Sequence, residues 1–253
     1  GEFDTTTIGI GKKNSIEIIK RINFPHSLGL LYSAFTYYCG FKINSGEYKL
    51  MGLAPYGEPK YKNIILENMI DIKMDGSFRL NMEYFGHLKG ETSITEKFEK
   101  LLGSKRRVPE SEITNFYMDI ASSIQYVLEI SVMKICNYIK EETNQTNLCL
   151  AGGVALNCVA NGKLLKSNLF KNIWIQPASG DAGGALGAAL LKASKSNLLV
   201  RKYDSMNPYL GPEFTDNEIE SYLSNNKIPY KKSLDIYEEV SSLLKDGKII
   251  GWF

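Results

Sequence analysis

The chain has 253 residues, of which 43% are hydrophobic and 23% are charged. This composition is typical of a folded globular protein and excludes a disordered chain, which combines low hydrophobicity with high charge. Thirty Lys and Arg residues against 28 Asp and Glu residues leave a net charge of +2, so the sequence indicates no nucleic-acid partner. The length predicts one large domain or two modest ones.

The sequence has no signal peptide, no apolar span of membrane length and no close pairing among its four cysteines. These features predict a cytoplasmic protein without membrane contact, whose cysteines are buried in a reducing compartment. The chain starts without Met and ends at 248–253 in an apolar run that is typical of a buried strand. We therefore expect a piece of a longer polypeptide, cut at both ends.

A hairpin and a capped helix are predicted at the start of the chain. Two β-rich runs at 5–10 and 15–21 are joined by a short polar link, which is typical of a hairpin. Ser27 is placed to cap a helix that ends near Gly40. His26 stands just before this helix, and we interpret it as a structural hydrogen-bonding residue.

An irregular segment and a second hairpin follow. Residues 44–57 are rich in Gly and predict a loop or a short interrupted helix. Asp75-Gly76 is a two-residue turn signal between the extended runs 70–74 and 77–80.

The central part of the chain contains a long helix and then an alternation of strands and helices. Apolar residues at helical spacing predict a core helix over 111–138. Strands and helices are then predicted in turn at 148–150, 155–166, 173–176 and 182–193. This alternation is typical of an α/β domain that binds its ligands at the carboxyl ends of the strands.

A change of character past Leu199 predicts a domain boundary between 200 and 210. Proline and glycine interrupt the chain there, and the segments Thr215–Leu223 and Asp235–Leu244 are predicted to begin a separate unit beyond it. The final run at 248–253 is predicted to be a strand.

The first candidate site is the glycine turn after the strand at 148–150. Gly152 and Gly153 allow backbone N–H groups to approach an anion closely, and the positive end of the following helix favours a phosphate. Asn157 is predicted on the first turn of that helix, where its amide suits the hydroxyls or base of a nucleotide. Tight packing of strand against helix is the alternative reading of the glycine pair.

The second candidate site follows the strand at 173–176. Gly180, Gly183 and Gly184 surround Asp181, which is the one carboxylate in a small and apolar run. Asp181 is predicted to cap the next helix or to bind a hard cation. Because both turns follow neighbouring strands, we expect them to open onto one cleft.

The third candidate site is the glycine-rich segment 46–57. Glu47 and Lys49 suit contacts to ribose hydroxyls and a phosphate, although a solvated turn is the default reading of such a pair. The sequence has no Gly-x-Gly-x-x-Gly or Walker loop, and its two histidines are far apart, so it predicts neither a dinucleotide oxidoreductase, a P-loop kinase nor a complete histidine-rich metal centre.

Four segments together make the chain similar to a known family. They are Pro25-His26-Ser27-Leu28-Gly29, residues 45–57 with the sequence SGEYKLMGLAPYG, residues 151–157 with the sequence AGGVALN, and residues 179–187 with the sequence SGDAGGALG. In this combination the chain resembles the carbamoyltransferases of the nodulation and antibiotic-tailoring type.

The resemblance implies an α/β actin-like ATPase fold of the ribonuclease H-like class. Residues 1–200 would be the actin-like core without its amino-terminal part, and 201–253 a linker and the incomplete start of a YrdC-like domain. In such enzymes the YrdC-like domain makes carbamoyl-adenylate from carbamoyl phosphate and ATP. The actin-like domain then transfers the carbamoyl group to a hydroxyl of a natural product or sugar.

The resemblance also assigns residues. The glycine turns at 152–153 and 183–184 would hold the adenylate, Asn157 and Glu47 its nucleoside, and Asp181 would bind a divalent metal, iron by analogy. Because the remaining metal ligands normally lie upstream of Gly1, we expect the isolated chain to bind metal poorly and to be inactive. Two alternatives stay open: a tRNA threonylcarbamoyladenosine-type transferase and a non-catalytic nucleotide-binding domain of the same fold.

Overall fold

A computed structural model describes residues 3–13, 15–88, 92–196 and 211–252. The chain divides into two units, Gly1–Arg201 and Lys202–Phe253. The boundary that the sequence predicts between 200 and 210 lies outside the described residues.

The first unit begins with the predicted hairpin, which is confirmed. Strand β1 (Asp4–Lys12) pairs antiparallel with β2 (Ser15–Asn23), so that Ile8 lies opposite Lys20. Ile8 is buried whereas Ile16 is exposed, so the hairpin turns only part of its apolar surface toward the core.

Three short helices follow the hairpin. They are α1 (Leu28–Tyr38), α2 (Glu47–Leu53), which continues into a 3-10 turn, and α3 (Lys62–Asn68). The Ser27 side chain accepts a hydrogen bond from the Leu30 N–H, which confirms the predicted cap. Because α2 and the 3-10 turn lie within residues 44–57, the interrupted helix is the correct one of the two predictions for this segment.

The second hairpin is also present, but its turn is longer than predicted. Strand β3 (Ile70–Ile72) pairs antiparallel with β4 (Phe78–Leu80), and the Lys73 N–H donates to the Ser77 carbonyl across the turn at 2.8 Å. The two-residue turn is therefore wrong, since Asp75-Gly76 occupies only the tip. His26 Nδ1 accepts a hydrogen bond from the Leu80 N–H at 3.1 Å, which confirms the structural role of this histidine.

The core of the first unit is built around its longest helix. After α4 (Glu96–Leu102), helix α5 (Asn115–Thr143) buries Ile120 and Ile124 against α1 to α3. The predicted helix at 111–138 is thus confirmed, although it begins and ends four or five residues later. Throughout the described ranges, every helix is too short or too polar to cross a membrane.

The alternating region confirms the α/β prediction. Strand β5 (Asn147–Leu150) and strand β6 (Asn172–Ile175) are parallel and form one of three two-stranded sheets among the described residues. Helix α6 (Cys158–Lys166) follows β5, and α7 (Gly183–Lys195) follows β6. Helix α6 starts three residues later than predicted because Gly153–Leu156 forms a separate 3-10 turn.

The prediction that all cysteines are buried is wrong for two of them. Cys39 and Cys136 are buried, whereas Cys149 and Cys158 are exposed. Cys149 lies on β5, where alternate side chains point to opposite faces, and its neighbour Leu148 takes the buried side.

The second unit is described from residue 211 onward and contains two helices in that range. Thr215 and Glu218 form a capping box at the start of α8 (Asp216–Asn225), and Asp235 caps α9 (Ile236–Lys245). The predicted final strand is wrong for 248–252, where Ile249 is fully exposed and no strand is formed. A strand needs a neighbouring strand for its backbone hydrogen bonds, and the described part of this unit offers none.

Candidate functional site

The two predicted glycine turns meet at the carboxyl edge of the β5–β6 pair. The Gly152 N–H donates a 2.7 Å hydrogen bond to the Ser179 carbonyl, which joins the turn after β5 to the turn after β6. A Cβ placed on Gly180 would lie 4.0 Å from the Gly153 Cα and 3.5 Å from Leu156. The expected convergence of the two turns is therefore present in the structure.

The first turn requires glycine at one position and leaves backbone groups accessible at the next. Gly152 has a φ of +95° and a ψ of 162°, a conformation that is essentially restricted to glycine. Gly153 begins a 3-10 turn, and the first N–H groups of such a turn have no partner within it. Because Gly153 is exposed, the N–H groups that begin this 3-10 turn can bind an anion, whereas the Gly152 N–H is already bonded to Ser179.

Asn157 does not lie on the first turn of the helix, as the sequence predicts, but caps it. Its Oδ1 accepts a hydrogen bond from the Ala160 N–H at 2.9 Å, and the residue is buried. Its Nδ2 donates to Gln125 Oε1 at 2.9 Å, and Gln125 Nε2 donates back to Asn157 Oδ1 at 3.0 Å. The amide is thus bonded within the protein, and its contact with a nucleoside stays a prediction.

Gln125 is the centre of a buried polar network that the sequence analysis missed. Its Oε1 also accepts from the Tyr32 hydroxyl at 2.9 Å, and its Nε2 donates to Glu129 Oε1 at 2.9 Å. Glu129 in turn forms an ion pair with Lys163 of α6. Burial raises the pKa of Tyr32, which therefore stays protonated and donates. The sequence feature that could have indicated this network is a polar residue, Gln125, among the apolar residues that predict the core helix.

The second turn contains one glycine that is required by packing and one that is not. A Cβ on Gly183 would lie 2.2 Å from the Ala178 carbonyl oxygen, so the close approach of backbone to backbone explains this glycine. Gly184 has no neighbour within 4 Å of its Cβ position. Its surroundings leave space for a ligand.

Asp181 is exposed and is not the cap of α7, because Ala182 occupies that position. Its carboxylate has no hydrogen-bond or ion-pair partner among the residues that the structure describes. In the same ranges no group of three or more His, Cys, Asp or Glu side chains is arranged to hold a metal ion. The described residues therefore do not form a metal site around Asp181, and its role as a ligand stays a prediction.

The third segment contacts the start of helix α6 through helix α2. Met51 Sδ is 3.7 Å from the Sγ of Cys158, the first residue of α6. Glu47 lies one turn before Met51, but its carboxylate accepts hydrogen bonds from the Ser33 hydroxyl at 2.7 Å and from the Asn44 N–H at 2.9 Å. These bonds hold the start of α2.

Lys49 is not brought to the site with Glu47. A separation of two residues in a helix corresponds to a rotation of about 200°, so the two side chains leave α2 on opposite faces. Lys49 is exposed. Lys49 and Glu47 therefore cannot contact one ligand from the same face of α2, and the contact of Lys49 with a phosphate stays a prediction.

Comparison with known proteins gives the family. The family described as "Carbamoyltransferase N-terminus" matches residues 1–190. The chain is 55% identical over its whole length to the uncharacterized protein sll1178 of Synechocystis, covering 42% of that protein. It is 32% identical to nodulation protein NolO of Bradyrhizobium diazoefficiens and 31% identical to nodulation protein NolNO of Sinorhizobium fredii.

The chain spans about two fifths of the length of these relatives: 44% of NolO and 36% of NolNO, in both cases with the whole of this chain matched. The resemblance that the four sequence segments indicate is thereby confirmed. The chain belongs to the carbamoyltransferase family.

Proposed function

We propose that this chain is the adenylate-binding part of an O-carbamoyltransferase. The complete polypeptide makes carbamoyl-adenylate from carbamoyl phosphate and ATP, and transfers the carbamoyl group to a hydroxyl of a natural product or sugar. In this proposal the first unit is part of an actin-like domain, the second unit begins a YrdC-like domain, and the protein is cytoplasmic.

One observation carries the proposal: the 2.7 Å hydrogen bond from the Gly152 N–H to the Ser179 carbonyl. This bond brings together two glycine turns that each follow a parallel strand and precede a helix. Ligands of α/β proteins bind at such carboxyl edges, where exposed backbone N–H groups favour a phosphate. Family membership supplies the reaction class, and the joined turns supply a place for the adenylate.

The transfer step sets the demands on the site. The acceptor oxygen attacks the carbamoyl carbon, the bond from that carbon to the phosphate oxygen breaks, and AMP leaves with the bonding electrons while the proton of the acceptor hydroxyl passes to water. Negative charge grows on the departing phosphate, so N–H groups that already point at it accelerate the step. We assign this role to the N–H groups that begin the Gly153–Leu156 turn.

The other assigned residues take supporting roles. Gly180, Gly183 and Gly184 let the backbone of the second turn approach the ligand. Glu47 and Asn157 contact the nucleoside only if they exchange hydrogen bonds that they now make within the protein. The described residues around Asp181 form no cluster that fits the implied iron, and the roles above belong to backbone and side-chain groups of this chain.

The proposal is tested with the complete polypeptide, carbamoyl phosphate labelled on carbon, and ATP. We expect AMP and pyrophosphate to form from ATP only when carbamoyl phosphate is present, and label to enter a hydroxylated acceptor. The Gly184→Ala variant is expected to reduce transfer at least about tenfold without loss of stability, since its Cβ meets no protein atom.

Three outcomes contradict the proposal. Label recovered in tRNA would favour the tRNA-modifying alternative. Nucleotide binding without any turnover would favour a non-catalytic domain. AMP formation that does not depend on carbamoyl phosphate would show that carbamoyl-adenylate is not the intermediate.

A further inference from the structure

Two buried polar atoms at the second turn have no hydrogen-bond partner. They are the Ser179 hydroxyl oxygen and the Gln176 amide oxygen, and among the described residues only four buried side-chain atoms are in this state. Two of the four therefore lie within a single turn. Buried polar atoms in folded proteins are nearly always hydrogen-bonded, so such a cluster points to a missing partner.

Ser179 lies where the two turns meet, and Gln176 lies beside the second turn. The Ser179 carbonyl holds the Gly152 N–H at 2.7 Å, and the exposed fraction of Ser179 is only 7%. The Gln176 Oε1 atom lies 3.8 Å from the Cβ position of Gly183, the first residue of α7. The unpartnered hydroxyl is thus nine-tenths buried beside the first glycine turn, and the unpartnered amide oxygen lies at the start of the helix that follows.

The chemistry of the two atoms favours a neutral partner. Residues 176–187 contain no Lys or Arg, and their one charged side chain is that of Asp181. The Asp181 carboxylate repels a phosphate, and neither the Ser179 hydroxyl nor the Gln176 amide neutralises the charge of a phosphate. A hydroxyl that donates and an amide oxygen that accepts match a group with one carbonyl and one N–H, which is the pattern of a primary carbamoyl group.

We propose that Gln176 and Ser179 form the subsite for the carbamoyl group of the adenylate, an inference that rests on the proposed function. The carbamoyl NH₂ donates to Gln176 Oε1, and the Ser179 hydroxyl donates to the carbamoyl oxygen. The phosphate then lies toward the N–H groups at Gly153. The pair selects carbamoyl over acyl groups, because a methyl group in place of NH₂ leaves the Gln176 oxygen buried and unpaired.

Two esters that differ only in this group test the subsite. The complete polypeptide is titrated by calorimetry with 5′-O-(N-carbamoylsulfamoyl)adenosine and 5′-O-(N-acetylsulfamoyl)adenosine, in which a sulfamoyl group stands in place of the phosphate, with AMP as a third probe. The wild type is expected to bind the carbamoyl ester about tenfold more tightly than the acetyl ester, since one hydrogen bond is lost. Gln176→Met, which keeps the size of the side chain, is expected to bring this ratio to about one without changing AMP binding.

The serine is tested through affinity and stability together. Ser179→Ala is expected to weaken both esters about tenfold, because they share the carbonyl that Ser179 contacts. The same variant without ligand is expected to keep its melting temperature, since no bond is lost. Ser123→Ala is the matched control: Ser123 is fully buried, but its hydroxyl accepts from the Tyr61 N–H at 2.9 Å and donates to Asp119, so this variant is expected to melt earlier.

The outcomes separate the inference from the proposed function. If the wild type binds AMP but binds both esters equally, or if Gln176→Met keeps the preference, the carbamoyl subsite is overturned while the adenylate site stands. If Ser179→Ala melts as early as Ser123→Ala, the hydroxyl is bonded within the protein and the subsite is overturned. If AMP and both esters fail to bind the wild type, the proposed function itself fails.

Discussion

The side-chain amides of Gln125 and Asn157 form a reciprocal pair, with hydrogen bonds of 3.0 and 2.9 Å in the two directions. Gln125 lies on the core helix α5, and Asn157 caps α6 just after the first glycine turn. The pair therefore ties the position of that turn to the longest helix of the unit. The glycine turn is held by the core as well as by its own backbone.

Replacing Gln125 by leucine is expected to destabilise the protein by about 2–4 kcal/mol. The change removes both bonds to Asn157 and leaves the Tyr32 hydroxyl and Glu129 without their buried partner. Gln145→Leu is the control, because Gln145 is exposed. Urea unfolding of the two variants measures the difference, and equal stability would show that the network contributes nothing.

The two glycines at 183 and 187 are expected to respond to alanine in opposite directions. Gly183→Ala should cost about 1–3 kcal/mol, because its Cβ would meet the Ala178 carbonyl at 2.2 Å. Gly187→Ala lies in the same helix with no atom near its Cβ position, and should stabilise by about 0.5–1 kcal/mol. The melting temperatures of both variants measure these effects. A lower melting temperature at both positions would show that another part of the polypeptide packs against α7 at Gly187.

Stability is expected to fall as the pH drops from about 7.5 to 5. Burial lowers the pKa of His26, with a further contribution from the positive charge of Arg79. A folded-state pKa below the ordinary value means that stability is present above about pH 6.5 and is lost as the pH falls through the folded pKa. Protonation also ends the bond that Nδ1 accepts from the Leu80 N–H.

The test is an NMR titration of the two histidines together with melting curves over this pH range. His26→Gln should flatten part of the pH dependence. Burial also lowers the pKa of His87, so this residue contributes with the same sign and part of the dependence should remain. A His26 that titrates at or above pH 6.5 would contradict the expectation.

Asp181→Asn in the complete polypeptide is expected to lower the bound metal content and leave the melting temperature of the metal-free protein unchanged. The carboxylate is exposed and has no partner among the described residues, so no structural bond is lost. Metal content is measured by mass spectrometry of the purified protein. Unchanged metal content would remove Asp181 from the ligand set, and a lower melting temperature of the metal-free protein would assign it a structural role.

Sequence reasoning succeeded where the signal is local. The Ser27 cap, the two hairpins and the glycine turns depend on a few consecutive residues, and all of them are present. The meeting of the turns was also predictable, because parallel strands end at the same edge of a sheet.

The failures involve partners that are distant in sequence. Nothing near Asn157 indicates that Gln125 would take up its amide, since 32 residues separate them. The expected strand at 248–252 has no neighbouring strand within the described part of its unit, and apolar character alone does not supply one. The cap of α7 falls on Ala182 because the turn continues past Asp181 before the helix begins.

Mapping where an adenylate binds tests whether the two joined turns form its site. The complete polypeptide is irradiated with 8-azido-AMP, digested, and the labelled peptides are identified by mass spectrometry. Label is expected in peptides that contain residues 151–157 or 176–187, and unlabelled AMP is expected to suppress it. Specific labelling confined to other parts of the polypeptide would contradict the claim that the two joined turns hold the adenylate.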